Sequence, residues 1–92
     1  EKESGEINPW KDSIADIYAK YRAYAMWPKI YFVYKEKRVI IEVLQFDEKL
    51  FNAQKNKSLI IDDKLHPATQ VCIVKPEGSK AQSWSDFIKG YM

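Results

Sequence analysis

Basic and aromatic side chains alternate closely between Ile17 and Phe46, where Tyr18, Lys20, Tyr21, Arg22, Tyr24, Trp27, Lys29, Tyr31, Phe32, Tyr34, Lys35, Lys37 and Arg38 follow one another. The stretch holds 8 of the 13 aromatic residues and 6 Lys/Arg, against only Glu36 and Glu42. Cations attract phosphates, and aromatic faces either stack on bases or fill a small core. Such a pattern points to binding before it points to bond-making. Few groups suited to catalysis stand elsewhere. His66 is the only histidine and precedes Pro67, so a surface or turn position is expected for it, with no nucleophile nearby in sequence. Cys72 is the only cysteine. It stands in the apolar run Val71–Val74, which predicts a buried, unreactive thiol and excludes an internal disulfide. One His and one Cys fall short of a zinc site, and Asp62-Asp63 lacks calcium-loop spacing. The three glycines, Gly5, Gly78 and Gly90, form no phosphate-cradling loop. The chain by itself therefore reads as non-catalytic and carries no cofactor signature.

Charge is unevenly placed. Residues 1–16 carry two basic and five acidic side chains, whereas residues 17–92 carry thirteen basic and eight acidic ones, within a net charge of +2. A basic body behind an acidic lead suits a polyanion, although a solvated surface of this charge also keeps a domain soluble. At 92 residues and 46% apolar content the chain is one globular domain with a modest core. No apolar run approaches the ~18 residues that would span a membrane, and the charged start does not look like a signal peptide. The start on charged residues without Met predicts a piece of a longer polypeptide.

The elements that must position these side chains read as follows. Residues 1–11, broken by Gly5 and Pro9, form a lead or interdomain linker, and residues 12–92 the domain. Asp12 or Ser13 caps a helix, with Ser13-x-x-Asp16 as a capping box and Ile14, Ile17, Tyr18 and Tyr21 on one face. Pro28 ends it. Ile30–Tyr34 and Arg38–Phe46 read as strands joined by the polar turn Lys35-Glu36-Lys37, a hairpin without the Asn-Gly signature. Asp47–Ser58 is polar, with Leu50, Phe51 and Ala53 anchoring a short turn. Leu59–Asp62 and Thr69–Lys75 are strands. Pro76-Glu77-Gly78 is a turn with Pro at its second position and Gly at its fourth. Ser83-x-x-Asp86 opens a short helix carrying Trp84, Phe87 and Ile88, which Gly90 closes. The sum is a mostly β fold with flanking helices: a small antiparallel OB-like barrel.

Several runs, in order along the chain, resemble the C-terminal domain of methionyl-tRNA formyltransferases. They are Ser4-Gly5-Glu6-Ile7-Asn8-Pro9-Trp10, Arg22-Ala23-Tyr24 followed by Trp27-Pro28, Val74-Lys75-Pro76-Glu77-Gly78-Ser79-Lys80, and Trp84-Ser85-Asp86-Phe87-Ile88-Lys89-Gly90. The chain departs from the family at Lys29, where a Gly often follows Trp-Pro, and at Gln82, where a Met is common. Asp47–Thr69 is also shorter than the family's middle section, which implies an open or reduced barrel with a strand missing. The resemblance implies a cytoplasmic parent enzyme that moves a formyl group from 10-formyltetrahydrofolate to methionyl-initiator tRNA. Its catalytic Asn, His and Asp would lie in an N-terminal domain outside this chain, and this domain would hold tRNA through a positive face. Relatives acting on nucleotide sugars or hydrolysing or oxidising formyltetrahydrofolate, and a purely structural interaction module, remain alternatives.

On that reading the candidate nucleic-acid contacts are Lys2, Arg22, Lys29, Lys35, Lys37, Arg38, Lys75 and Lys80. Tyr24 and Tyr34 are candidate stacking platforms. Each has a structural counterpart. Arg22 also suits the C-terminus of its helix or a carboxylate partner. Lysines on a hairpin also blunt a sheet edge. Trp27, Tyr31, Phe32, Trp84 and Phe87 are expected in the core.

Overall fold

Ser13 starts the first helix as its spacing predicts: its Oγ accepts a hydrogen bond from the Asp16 N–H at 3.1 Å. In the computed structural model, which describes residues 5–24 and 29–90, helix α1 spans Ile14–Tyr24. The N–H groups of Ile14 and Ala15 donate to the carbonyls of Lys57 and Lys55 at 2.8 and 3.2 Å. A distant loop thus satisfies donors that a helix start leaves unpaired. Ile14 and Ile17 are fully buried, and Tyr18 and Tyr21 lie partly buried against the same core.

Strands β1 (Ile30–Tyr34) and β2 (Lys37–Phe46) form the expected hairpin, in register from Ile30↔Ile41 to Tyr34↔Lys37. Lys35 and Glu36 make its turn with φ of +50° and +70°. A turn that must match the strands' twist demands two left-handed residues. Here two ordinary side chains take that conformation at about 1 kcal/mol or more each. The segment Asp47–Ser58 holds helix α2 (Glu48–Gln54) rather than a simple turn. The Asp47 side chain caps it by accepting from the Leu50 N–H at 3.0 Å. Only Phe51 anchors it, because Leu50 and Ala53 are exposed. Two short strands, β3 (Ile60–Ile61) and β4 (Lys64–Leu65), then close a second small hairpin on Asp62 and Asp63, both at positive φ.

Strand β5 (Thr69–Pro76) pairs with β2, and β6 (Gln82–Ser83) pairs with β5. The main sheet is antiparallel in the order β1-β2-β5-β6 and does not close. The expected OB-like architecture is present in its open, reduced form, with α2 and the small hairpin occupying the segment between β2 and β5. The pairing of β2 with β5 shifts register between Ile41 and Val43, where Glu42 is the extra residue, and again between Gln45 and Phe46. The turn after β5 differs in phase from expectation. The Ser79 N–H donates to the Pro76 carbonyl at 2.9 Å, so Pro76 is first and Gly78, at φ +78°, third. A positive φ at the third position is what a type II turn requires, and glycine takes it without strain. Helix α3 (Trp84–Lys89) starts on Ser83, whose Oγ accepts from the Asp86 N–H at 3.2 Å.

The core lies between the inner face of the sheet, α1, α3 and the small hairpin. Phe32, Trp84, Phe87 and Tyr31 are buried as expected; Trp27 lies outside the described residues. Cys72 is buried in β5, and burial pushes its thiol pKa up to about 12. His66 corrects the sequence reading. It does occupy a turn, with the Thr69 N–H on its carbonyl at 2.9 Å, but it is only 3% exposed. Its Nδ1 accepts from the Ala68 N–H at 2.9 Å. A ring that braces its own turn from inside is hidden by tertiary packing that the flanking Pro67 did not announce.

Candidate nucleic-acid interface

The β1–β2 turn and the β5–β6 turn come to the same end of the sheet. Register sets this: Val39 faces Pro76, and Ile40 faces Lys75. The Glu77 N–H donates to the Arg38 carbonyl at 2.9 Å, which fastens the second turn beside the first hairpin. Lys35, Lys37, Arg38 and Lys75 therefore gather at one end of a rigid sheet, and Lys80 follows the second turn. All five are exposed. Glu36 and Glu77 are the acidic residues of the same two turns. Among the described residues, Lys37, Lys75 and Lys80 make no ion pair.

Alternation along the strands places Tyr31, Val33, Arg38, Ile40 and Lys75 on the outer face of the sheet. The Arg38 guanidinium lies 4.3 Å from the Tyr31 ring centroid, a cation–π contact that holds the side chain flat across two strands. It also accounts for the burial of Tyr31 on a face that is otherwise partly open, with Val33 48% exposed. Lys35 lies 5.6 Å from the Tyr34 ring centroid.

The remaining candidates separate from this end. Lys29 pairs with Glu42 at 2.6 Å, next to the register shift in β2. Lys29 has φ +73°, a left-handed conformation that glycine takes without strain. Arg22, in the last turn of α1, reaches over Tyr18 at 5.8 Å and lines a cleft between α1 and α2. Tyr24 is half-buried against the core, and its carbonyl accepts from the Lys29 N–H at 2.8 Å. Tyr34 is also half-buried, with Trp10 stacked on it at 6.0 Å and Phe87 tilted against it at 5.4 Å. Lys2 lies outside the described residues.

Sequence reasoning missed Trp10 and the α1–α2 cleft. Trp10, 37% exposed, packs edge-on to Phe32 and parallel to Tyr34. It fastens residues 5–11 to the sheet along with two backbone bonds: Ile7 N–H to Tyr31 O at 2.9 Å and Tyr31 N–H to Gly5 O at 3.0 Å. The cleft is invisible in the sequence because α2 reads there as a turn. Asp47, with Leu50 and Phe51 following at helical spacing, was the available signal.

Among the described residues no group of three or more His, Cys, Asp or Glu side chains could hold a metal. No helix among them is long and apolar enough to cross a membrane. The site offers oriented positive charge and rings, which suits binding a polyanion.

The sequence is similar to known proteins along its whole length. The formyl transferase C-terminal domain family matches residues 1–92. Methionyl-tRNA formyltransferase of Rickettsia canadensis is 33% identical over 94 residues, covering 97% of this chain and 30% of that protein. Methionyl-tRNA formyltransferase of Carboxydothermus hydrogenoformans is 32% identical, covering 98% of this chain and 31% of that protein. The Rickettsia bellii protein of the same name is 30% identical, covering 98% of this chain. The chain thus spans about 30% of the length of the curated relatives it matches. No solved structure matches at a significant level. With a match that runs from the buried Ile7 strap through the closing helix α3, this chain belongs to the formyl transferase C-terminal domain family.

Proposed function

We propose that this domain holds tRNA for a formyltransferase polypeptide. The observation that carries the reading is the gathering of Lys35, Lys37, Arg38, Lys75 and Lys80 at one end of the sheet, with Lys37, Lys75 and Lys80 outside any ion pair among the described residues. Cations held on two tight turns release counterions from phosphates while reading little sequence. Binding by this end raises the local concentration of methionyl-initiator tRNA beside an N-terminal catalytic domain. That domain would use 10-formyltetrahydrofolate as the formyl donor, in the cytoplasmic initiation of translation. The curated relatives support this through their names and through the share of their length that lies beyond this match. Among the candidates, Lys29 contributes least, because Glu42 holds its ammonium.

The test is tRNA binding by the chain as salt is varied. With about 4–6 phosphates engaged, log affinity falls against log salt with a slope of several units, and different tRNAs bind alike. A flat salt response overturns the proposal.

A further inference from the structure

The end of β2 away from the basic turns opens onto a cleft of about 360 Å³ between α1 and α2. Its volume falls within the range of small-molecule sites, roughly 300–1,000 Å³. Its lining is Tyr18, Arg22, Phe46, Glu48, Phe51 and Asn52. Three of these are rings in mutual contact: Tyr18–Phe46 at 5.3 Å, Tyr18–Phe51 at 5.5 Å and Phe46–Phe51 at 5.0 Å. The other three are polar, and they are not spent on each other. Among the described residues Arg22 and Glu48 form no ion pair although they face the same space, and Asn52 makes no side-chain hydrogen bond. Asp47, not Glu48, caps α2, so the Glu48 carboxylate, which stands in the helix's first turn, forms no hydrogen bond or ion pair among the described residues.

Aromatic walls, a guanidinium, a carboxylate and an amide around a cleft of this size match the parts of a nucleotide. Bases unstacked from RNA are held on aromatic rings and read along their Watson–Crick edge. A carboxylate accepts only, and guanine is the base that offers two adjacent donors there, its N1–H and its exocyclic amine. Adenine and cytosine place an acceptor beside their amine, and uracil flanks its single donor with carbonyls. Arg22 then faces the phosphate, where a planar fork of donors binds well.

We propose that the α1–α2 cleft binds one unpaired guanine nucleotide of an RNA, with Glu48 on the base edge, Asn52 beside it, Tyr18, Phe46 and Phe51 as the apolar wall, and Arg22 on the phosphate. The proposal rests on the RNA-binding reading for the source of the nucleotide. It adds a selective contact to an otherwise unselective electrostatic hold.

The test is titration of the chain, followed by heteronuclear NMR, with short uridine-rich RNAs carrying a single central guanine, adenine or cytosine, or none. The expected result is movement of the Tyr18, Arg22, Phe46, Glu48, Phe51 and Asn52 resonances, with the guanine RNA bound about tenfold tighter than the others. Glu48→Gln removes that preference while leaving the fold intact, since Glu48 is exposed and does not cap α2. Arg22→Ala weakens all four RNAs. Equal response to the four sequences, no response in the cleft, or a response reproduced by inorganic phosphate alone overturns the proposal. The tRNA reading fails on a separate readout, the salt slope, so a flat slope with a guanine-selective cleft would remove the electrostatic hold by the basic turns and leave the cleft standing.

Discussion

The two ends of β2 solve different problems with the same residue types. At its start, Lys35, Lys37 and Arg38 stand on a tight turn beside Lys75, with the turn fixed by backbone bonds and Arg38 and Lys35 lying over single rings, Tyr31 and Tyr34. At its finish, about 30 Å away along the strand, Phe46 joins Tyr18 and Phe51 around one cation, Arg22, and one carboxylate, Glu48. Exposed charge on a rigid tip attracts any polyanion and is screened by salt. Rings around unspent hydrogen-bonding groups can discriminate shape and edge. The contrast teaches that the basic–aromatic alternation is not a single surface but two, separated by the length of a strand.

The largest effect should come from stripping the basic tip. Replacing Lys35, Lys37 and Arg38 together with Ala lowers tRNA affinity about 10- to 100-fold at low salt and reduces the salt slope by about 2–3 units. Unchanged affinity and slope in anisotropy titrations would dissolve the distinction between the two ends. Substituting Gly5 acts on the strap that pairs in parallel with the edge of β1 at Tyr31. A Cβ there would lie 2.7 Å from the Lys29 carbonyl oxygen, which belongs to the backbone and cannot swing aside. Gly5→Ala is expected to cost about 1–3 kcal/mol in chemical denaturation, and a neutral result would mean the strap is not held as described.

The pH dependence comes next. Cys72 sits in β5, which runs between the two ends, and its thiol is raised from 9.0 to about 12 by burial. The unfolded chain releases this proton first, so the stabilising contribution is fully present below about pH 9. It declines as pH rises toward 12, by up to about 1.4 kcal/mol per pH unit. Denaturation between pH 9 and 10.5 should show a shallower decline in Cys72→Val than in the parent chain, and equal slopes would contradict the burial of this thiol. The smallest effect is at Lys29. Its φ of +73° favours glycine, so Lys29→Gly should be more stable than Lys29→Ala by about 1 kcal/mol. Both should bind tRNA nearly as the parent does, which separates a cation already held by Glu42 from those at the tip.

Much of the fold was legible because it is local. Ser13-x-x-Asp16 and Ser83-x-x-Asp86 mark helix starts, since a short side chain can reach an N–H three residues on. Ile30–Tyr34 announced a strand through continuous β-branched and aromatic residues. Helix α2 was harder to see, since an exposed seven-residue helix shows little apolar periodicity and only Phe51 touches the core. The strands β4 and β6 are two residues each and exist only through their partners. His66 occupies the expected turn, but its burial is invisible for the same reason: burial is a property of what packs over a residue. Trp10 reads as part of a lead, yet it closes over Phe32 and Tyr34.

By itself, the amino-acid order determined where α1, α3 and the longer strands begin, that Cys72 would be buried, and that cations and rings would lie close together along the chain. Only the tertiary structure decided which cations are neighbours. The antiparallel pairing of β2 with β5 brings Lys75 to the Arg38 end, although they are far apart in sequence, while the packing of α1 holds Arg22 beside Phe46 at the opposite end. Register is a choice among long-range backbone pairings settled by which faces become buried, and no short window of sequence contains both partners.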